Sequence, residues 1–109
     1  MVNNPANQEP NVIRLKGDID LEHSPGVRKS LLSAVQREGT LFVDLSDVTY
    51  IDSSGIACLV EALQVARADG SDLGLVSVSM QAMRVLELAR LDMVFPIHDD
   101  LDAALSAKT

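Results

Sequence analysis

Residues 41–63 read LFVDLSDVTYIDSSGIACLVEAL, and the change of pattern within this stretch decides the fold class. The apolar run at residues 41–45 is typical of a buried β-strand, and extended character resumes after a polar interruption at residues 46–49. From Ile56 onward, apolar residues recur at the i, i+3, i+4 and i+7 spacing of an amphipathic helix. The tetrapeptide Asp52-Ser53-Ser54-Gly55 therefore lies where a strand gives way to a helix.

The same alternation of strand and helix continues on both sides of this stretch. Ser24 followed by Pro25 predicts a helix start at which the Ser24 side chain caps free backbone N–H groups. Because strands that alternate with helices need crossover connections, we expect one α/β domain with a mainly parallel sheet of four to five strands and about four helices. Strands are predicted near residues 12–21, 41–45, 73–78 and 95–97, with extended character resuming at residues 50–51. Helices are predicted over residues 24–38, 56–70 and 79–89 and from Asp99 or Asp100 to about 105.

The composition is that of a compact globular chain of 109 residues, of which 47% are apolar. Residues 1–10, rich in Asn, Gln and Pro, are predicted to form a flexible lead-in to a single domain at residues 11–107. The formal net charge of -7 and the absence of Trp argue against direct nucleic-acid binding, which needs clustered cations and stacking surfaces. Without an apolar leader or a run of about 18 apolar residues, the sequence predicts a cytoplasmic protein that does not insert into membranes.

Two interpretations of Asp52-Ser53-Ser54-Gly55 follow from its position. In the first, an acidic or hydroxyl side chain simply caps the helix, and Gly55 permits close packing. In the second, the run holds more candidate caps than one helix needs, so that Ser53 caps the helix and the Ser54 hydroxyl faces solvent on the first turn. A phosphate on Ser54 would then meet free N–H groups and the positive end of the helix dipole.

Other polar residues give weaker indications of chemistry. His23 and His98 are isolated in predicted loops without ligand-spaced neighbours, which favours ordinary surface histidines. The carboxylates of Asp99, Asp100 and Asp102 are better explained by the dipole of the last helix than by a divalent cation. The serines lack the Gly-x-Ser-x-Gly spacing of a hydrolase and have no general base beside them. We therefore expect no metal, no cofactor and no enzymatic activity.

Residues 43–56, VDLSDVTYIDSSGI, closely resemble the signature of anti-sigma-factor antagonists in the STAS family. Residues 17–20, GDID, are similar to the strand end of that family, and residues 85–97 resemble its third helix and last strand. The resemblance covers residues 11–106 and implies a STAS-type fold. The chain departs from the family at residues 3–7, NNPAN, where relatives usually have an extra edge strand.

The resemblance implies a switch controlled by phosphorylation. In the family, the second Ser of the Asp-Ser-Ser-Gly motif is phosphorylated by a partner serine kinase that is also the anti-sigma factor. This residue is Ser54 here, with Ser53 as the second choice. The unphosphorylated form would sequester the anti-sigma factor and so free a sigma factor, and a serine phosphatase would reset the switch. The implied partner-binding surface consists of Asp20, Asp52, Ser53, Ser54 and Gly55.

The sequence leaves an alternative within the same family. STAS domains also serve as regulatory subunits of lipid-transport ABC systems or of signalling assemblies, in which the serine need not be phosphorylated. A response regulator that accepts phosphate on Asp is disfavoured, because a strand-end Lys and a paired acidic cluster cannot be placed beside the required Asp. Acetyl phosphate would separate these classes, since it labels an Asp acceptor and leaves a Ser acceptor untouched.

Overall fold

The computed structural model describes residues 10–37 and 39–107, which form four strands and four helices in alternation. The predicted lead-in, apart from Pro10, and the departure at residues 3–7 lie outside the described residues. Every predicted boundary lies within about three residues of the observed one, except the end of the second strand, which is predicted at Leu45 and lies at Ile51. A short 3-10 helix at Leu91–Met93, which the sequence pattern does not predict, precedes the last strand. The elements are β1 (Asn11–Ile19), α1 (Ser24–Val35), β2 (Leu41–Ile51), α2 (Ser53–Ala68), β3 (Leu73–Val76), α3 (Met80–Leu88), β4 (Ile97–His98) and α4 (Leu101–Ala107).

The strands form one parallel sheet in the order β1-β2-β3-β4. Because alternate strand residues point to opposite faces, Val43 and Leu75 enter the large core shared by α1, α2 and α3. On the other face, Phe42 and Val76 pack against Ala104 of α4. The sheet topology confirms the predicted α/β class and its mainly parallel sheet.

β2 is one continuous strand, so the polar interruption predicted at residues 46–49 is wrong. β1 pairs with β2 as far as Ile19 opposite Ile51. The register of this pairing shifts at two places, between Arg14 and Lys16 and between Gly17 and Asp18. Two exposed residues, instead of one, separate each buried residue from the next along Leu45, Val48 and Ile51. The period of two that marks a strand therefore fails here, although the backbone stays extended and paired.

The far part of β2 is held by β1 and by the start of α3. Within the described residues, only the first four residues of β2 pair with β3. Beyond them, the Ser79 N–H donates to the Leu45 carbonyl at 3.2 Å, and the Ser79 hydroxyl donates to the Val48 carbonyl at 2.7 Å. β1 and β2 thus continue as a two-stranded segment, called here the ribbon and consisting of residues 16–19 and 47–51.

α1 begins at Ser24, but the predicted capping role of Ser24 is wrong. Ser24 is already helical, and its hydroxyl donates to the Leu21 carbonyl at 3.2 Å. The backbone carbonyl of Asp20 instead accepts the N–H of His23 at 3.1 Å and the N–H of Ser24 at 2.8 Å. Asp20 therefore starts the turn into α1, and Pro25 lies in the first helical turn, where its missing N–H costs no hydrogen bond.

Candidate functional site

The carboxyl ends of β1 and β2 lie side by side and bring Asp20 and Asp52 to the same edge of the sheet. The Asp52 N–H donates to the Ile19 carbonyl at 3.2 Å, which joins the two strand ends. α1 and α2 start directly afterwards, and Arg28 of α1 forms a two-point ion pair with Glu61 of α2, with both N–O distances at 2.7 Å. The backbone hydrogen bond thereby joins the two strand ends, and the ion pair links α1 to α2.

Asp52 is the residue that caps α2. Its backbone is extended (φ -115°, ψ -169°), and its Oδ1 accepts the N–H of Ser54 at 3.0 Å and the N–H of Gly55 at 3.4 Å. The Ser54 hydroxyl donates to the same oxygen at 2.6 Å. The first interpretation, in which an acidic side chain caps the helix, is therefore confirmed, and the second, in which Ser53 caps it and leaves the Ser54 hydroxyl free, is wrong. Asp52 caps in preference to a serine because an ionised carboxylate is the better acceptor at the positive end of a helix. Ser53 is exposed and Ser54 is half-buried.

The surroundings of Asp52 favour its ionised form. The hydrogen bond from the Ser54 hydroxyl contributes most to lowering the pKa of Asp52, and the N–H groups of Ser54 and Gly55 lower it further. Burial and the charge of Asp20 raise that pKa without reversing the shift. The stabilisation from Asp52 is thus complete above the ordinary Asp pKa and is lost as the pH falls through the lowered pKa.

Gly55 is buried where α2 crosses the two strand ends. A Cβ atom at this position would lie 2.7 Å from Ile19 Cγ2, 2.7 Å from the Ile19 carbonyl oxygen and 2.7 Å from Ile51 Cγ1. Only Gly therefore lets α2 start this close to the sheet. The close approach at Gly55 therefore sets the position of Ser53 and Ser54 relative to the two strand ends.

His23, interpreted from the sequence as an isolated surface residue, belongs to this site. Its Nδ1 lies 2.7 Å from Asp20 Oδ1, and the same oxygen accepts the His23 N–H at 3.1 Å. The hydrogen bond and then the charge of Asp20 raise the pKa of His23, while the hydrogen bond from His23 lowers the pKa of Asp20. The signal in the sequence is the Asp-x-x-His spacing at a predicted helix start, where residues three apart lie on one side of the turn.

Other polar groups considered from the sequence have structural partners. Asp100 Oδ1 accepts the N–H of Ala103 at 2.8 Å, in keeping with a cap at the start of α4. The buried Cys58 thiol donates to the Ser24 carbonyl at 3.4 Å, and burial raises the pKa of Cys58. The part of the chain that the structure describes contains no group of three His, Cys, Asp or Glu side chains placed to hold a metal ion. In that same part, no helix combines the length and apolar character needed to cross a membrane.

Residues 2–104 match the STAS domain family, and the chain belongs to this family. Within it, the chain is similar to anti-sigma factor antagonists. An anti-sigma-B factor antagonist of Listeria monocytogenes is 33% identical over 88 residues, which cover 80% of this chain and 77% of that protein. An anti-sigma-B factor antagonist of Bacillus subtilis is 26% identical over 85 residues, which cover 78% of each protein. The crystal structure of an anti-sigma factor antagonist from Mycobacterium paratuberculosis has a TM-score of 0.79 at 28% identity, covering 88% of this chain and 82% of that one.

Asp52→Ala is expected to lower the Tm by about 5 °C, because two backbone N–H groups and the Ser54 hydroxyl lose their acceptor. Asp52→Asn retains a side-chain oxygen and should recover most of this loss. Thermal unfolding followed by circular dichroism at pH 7 measures both effects. The control is Ser53→Ala at the exposed neighbouring position, which should leave the Tm unchanged. Equal losses for Asp52→Ala and Ser53→Ala would contradict the capping role.

Proposed function

We propose that this protein is an anti-sigma factor antagonist controlled by phosphorylation of Ser54. In the cytoplasm, its unphosphorylated form binds a kinase-type anti-sigma factor and so frees a sigma factor. The kinase ends this binding by phosphorylating Ser54, and a serine phosphatase restores the first state. The position of Ser54 carries the proposal, because its hydroxyl lies on the first turn of α2 at the end of the ribbon, beside Asp52 and the exposed Ser53. The similarity to proteins named anti-sigma factor antagonists supports it.

The surface offered to this partner combines carboxylates with a large apolar side chain. Asp20 and Asp52 follow the two strand ends, and the exposed Glu22 adds a further negative charge. Between Asp20 and Glu22, Leu21 is 75% exposed. A partner with a cationic patch beside an apolar depression fits this surface, because opposite charges steer association while apolar burial supplies affinity.

Phosphorylation would change this surface without requiring a change of fold. The Ser54 oxygen would lose the proton that it donates to Asp52, and a group with a charge of about -1.5 to -2 would stand beside an ionised carboxylate. Repulsion from Asp52 would direct the phosphate outward, into the space that the partner occupies. The positive end of the α2 dipole would tolerate the added charge locally.

In this scheme the protein is the substrate of a kinase and a phosphatase, and it is not itself an enzyme. Asp52 does contact the Ser54 hydroxyl. A pKa below the ordinary range nevertheless makes the Asp52 carboxylate a weak base for activating a nucleophile. Its hydrogen bonds to the start of α2 give the same carboxylate a structural role.

Intact-mass spectrometry of the protein isolated from its own cells, under several growth conditions, tests the proposal. We expect one added phosphate, located on Ser54 by fragmentation and absent from Ser54→Ala. The matched control is Ser53→Ala, which removes the neighbouring hydroxyl and should keep the phosphate. If no growth condition gives a phosphate, or if it is found only elsewhere, kinase control is excluded. A constitutive regulatory subunit of an ABC system or of a signalling assembly is then favoured.

A further inference from the structure

Four polar side chains form two hydrogen-bonded pairs at the starts of α1 and α2. Ser54 Oγ contacts Asp52 at 2.6 Å, and Asp20 contacts His23 Nδ1 at 2.7 Å. The two pairs are coupled, because the joined strand ends bring the carboxylates close enough for the charge of Asp20 to act on Asp52. Among these four side chains, only the imidazole of His23 can become cationic.

We propose that the charge of His23 is coupled to the phosphorylation state of Ser54. A phosphate on Ser54 promotes proton uptake by His23, and protonated His23 in turn stabilises the phosphorylated protein. The coupling acts through Asp20, which is hydrogen-bonded to His23, and through Asp52, which is hydrogen-bonded to Ser54. This inference rests on the proposed phosphorylation of Ser54 and adds proton concentration as a second input to the switch.

The charged groups that face His23 make its surroundings negative. An open cavity between β1 and α1 is lined by His23 together with two cationic and two acidic side chains, and the turn before α1 adds two more carboxylates. The buried thiol below the start of α1 is neutral near pH 7, because burial raises its pKa. These groups are Arg14, Lys16 and Asp18 of β1, Asp20 and Glu22 of the turn, Asp47 of β2 and Cys58 of α2.

The direction of the coupling follows from the signs of the charges. Below the raised pKa of His23, the imidazolium offsets the charge of Asp20 and so reduces the repulsion on a phosphate at Ser54. As the pH rises through that pKa, the offset is lost. By linkage, the phosphate raises the proton affinity of His23 by the same free energy. Lower pH therefore favours the phosphorylated form, and higher pH favours the unphosphorylated form.

NMR titration of the two imidazoles tests the coupling. The protein is compared with Ser54→phosphoserine, in which the modified residue is installed during synthesis. We expect the titration midpoint of His23 to rise by about 0.3 pH unit, which is the size for an added charge that solvent largely screens. His98, at the end of β4, is the internal control and should move less.

Asp20→Asn gives a second reading of the same link. Removing this carboxylate should lower the midpoint of His23 and shrink the difference between the phosphorylated and unphosphorylated proteins. An unchanged midpoint of His23 on phosphorylation, or an equal shift of His98, would overturn the coupling. Because the phosphate is installed during synthesis, this result does not depend on a kinase. A phosphate on Ser54 in cells together with an unchanged His23 midpoint would refute only the coupling. A shifted His23 midpoint without any phosphate on Ser54 in cells would refute only the proposed function.

Discussion

Gly55→Ala is expected to lower the free energy of unfolding by about 2 kcal/mol, although it adds a single methyl group. The added Cβ would meet Ile19 and Ile51 at 2.7 Å, and one of the three contacts is with a backbone oxygen that cannot rotate away. α2 must therefore move outward. That movement would strain the Asp52 cap and the hydrogen bond from Asp52 to Ile19. Urea unfolding followed by circular dichroism measures the loss.

Gly26→Ala is the matched control for this prediction. Gly26 and Gly55 are each the third residue of a helix, but a Cβ at Gly26 would meet nothing within 4 Å. Since Ala suits a helix better than Gly, Gly26→Ala should raise the free energy of unfolding by about 0.5 kcal/mol. Opposite signs for the two variants are the expected result. If Gly55→Ala is as stable as Gly26→Ala, the close approach of α2 to the strands is not what requires Gly55.

Phosphorylation of Ser54 is expected to weaken binding of the anti-sigma factor by about 100-fold or more. The phosphate would stand beside the ionised Asp52 in the centre of the proposed interface, where like charges and lost solvation both oppose contact. Isothermal titration calorimetry measures this loss. The partner is the protein that the unphosphorylated form captures from its own cells, and Ser54→phosphoserine is the modified form. The Tm of that form should stay within a few degrees of the unmodified protein, because the helix dipole tolerates the charge.

Two controls separate the charge of the phosphate from loss of the serine. Ser54→Ala removes the hydroxyl without adding charge and should bind the partner nearly as well as the unmodified protein. Ser53→phosphoserine places the same group on the exposed neighbouring residue and should weaken binding less. If Ser54→Ala loses as much affinity as Ser54→phosphoserine, the hydroxyl itself is the contact and the charge is not the switch.

The fold class could be predicted from the sequence because its signals are local. The run at residues 41–45 and the helical spacing from Ile56 onward each lie within one element, and their order alone implies a crossover. Residues 46–49 misled the prediction, since their strand geometry depends on pairing with β1 and on hydrogen bonds from Ser79. Such partners are distant in sequence, so the period within the segment does not indicate them.

The site shows the same division between local and distant information. The position of Asp52, Ser53 and Ser54 at a strand-to-helix junction could be predicted from the pattern, but the choice of cap could not. That choice depends on the extended backbone at Asp52, which turns its carboxylate toward the first N–H groups of α2. The place of His23 beside Asp20 was missed for a different reason, because an interpretation limited to metal-ligand spacing overlooks a hydrogen-bonded pair three residues apart.

In mechanical terms, the end of the ribbon is a short cantilever. Ser79 clamps β2 along one edge as far as Val48, so that the free length to Asp52 is about 13 Å. α2 backs this length from one side through the close contact at Gly55. A beam so short and so supported bends little under the load of a docking partner. We therefore expect the repulsion from a phosphate on Ser54 to act on the docked partner, because the end of the sheet bends too little to relieve it.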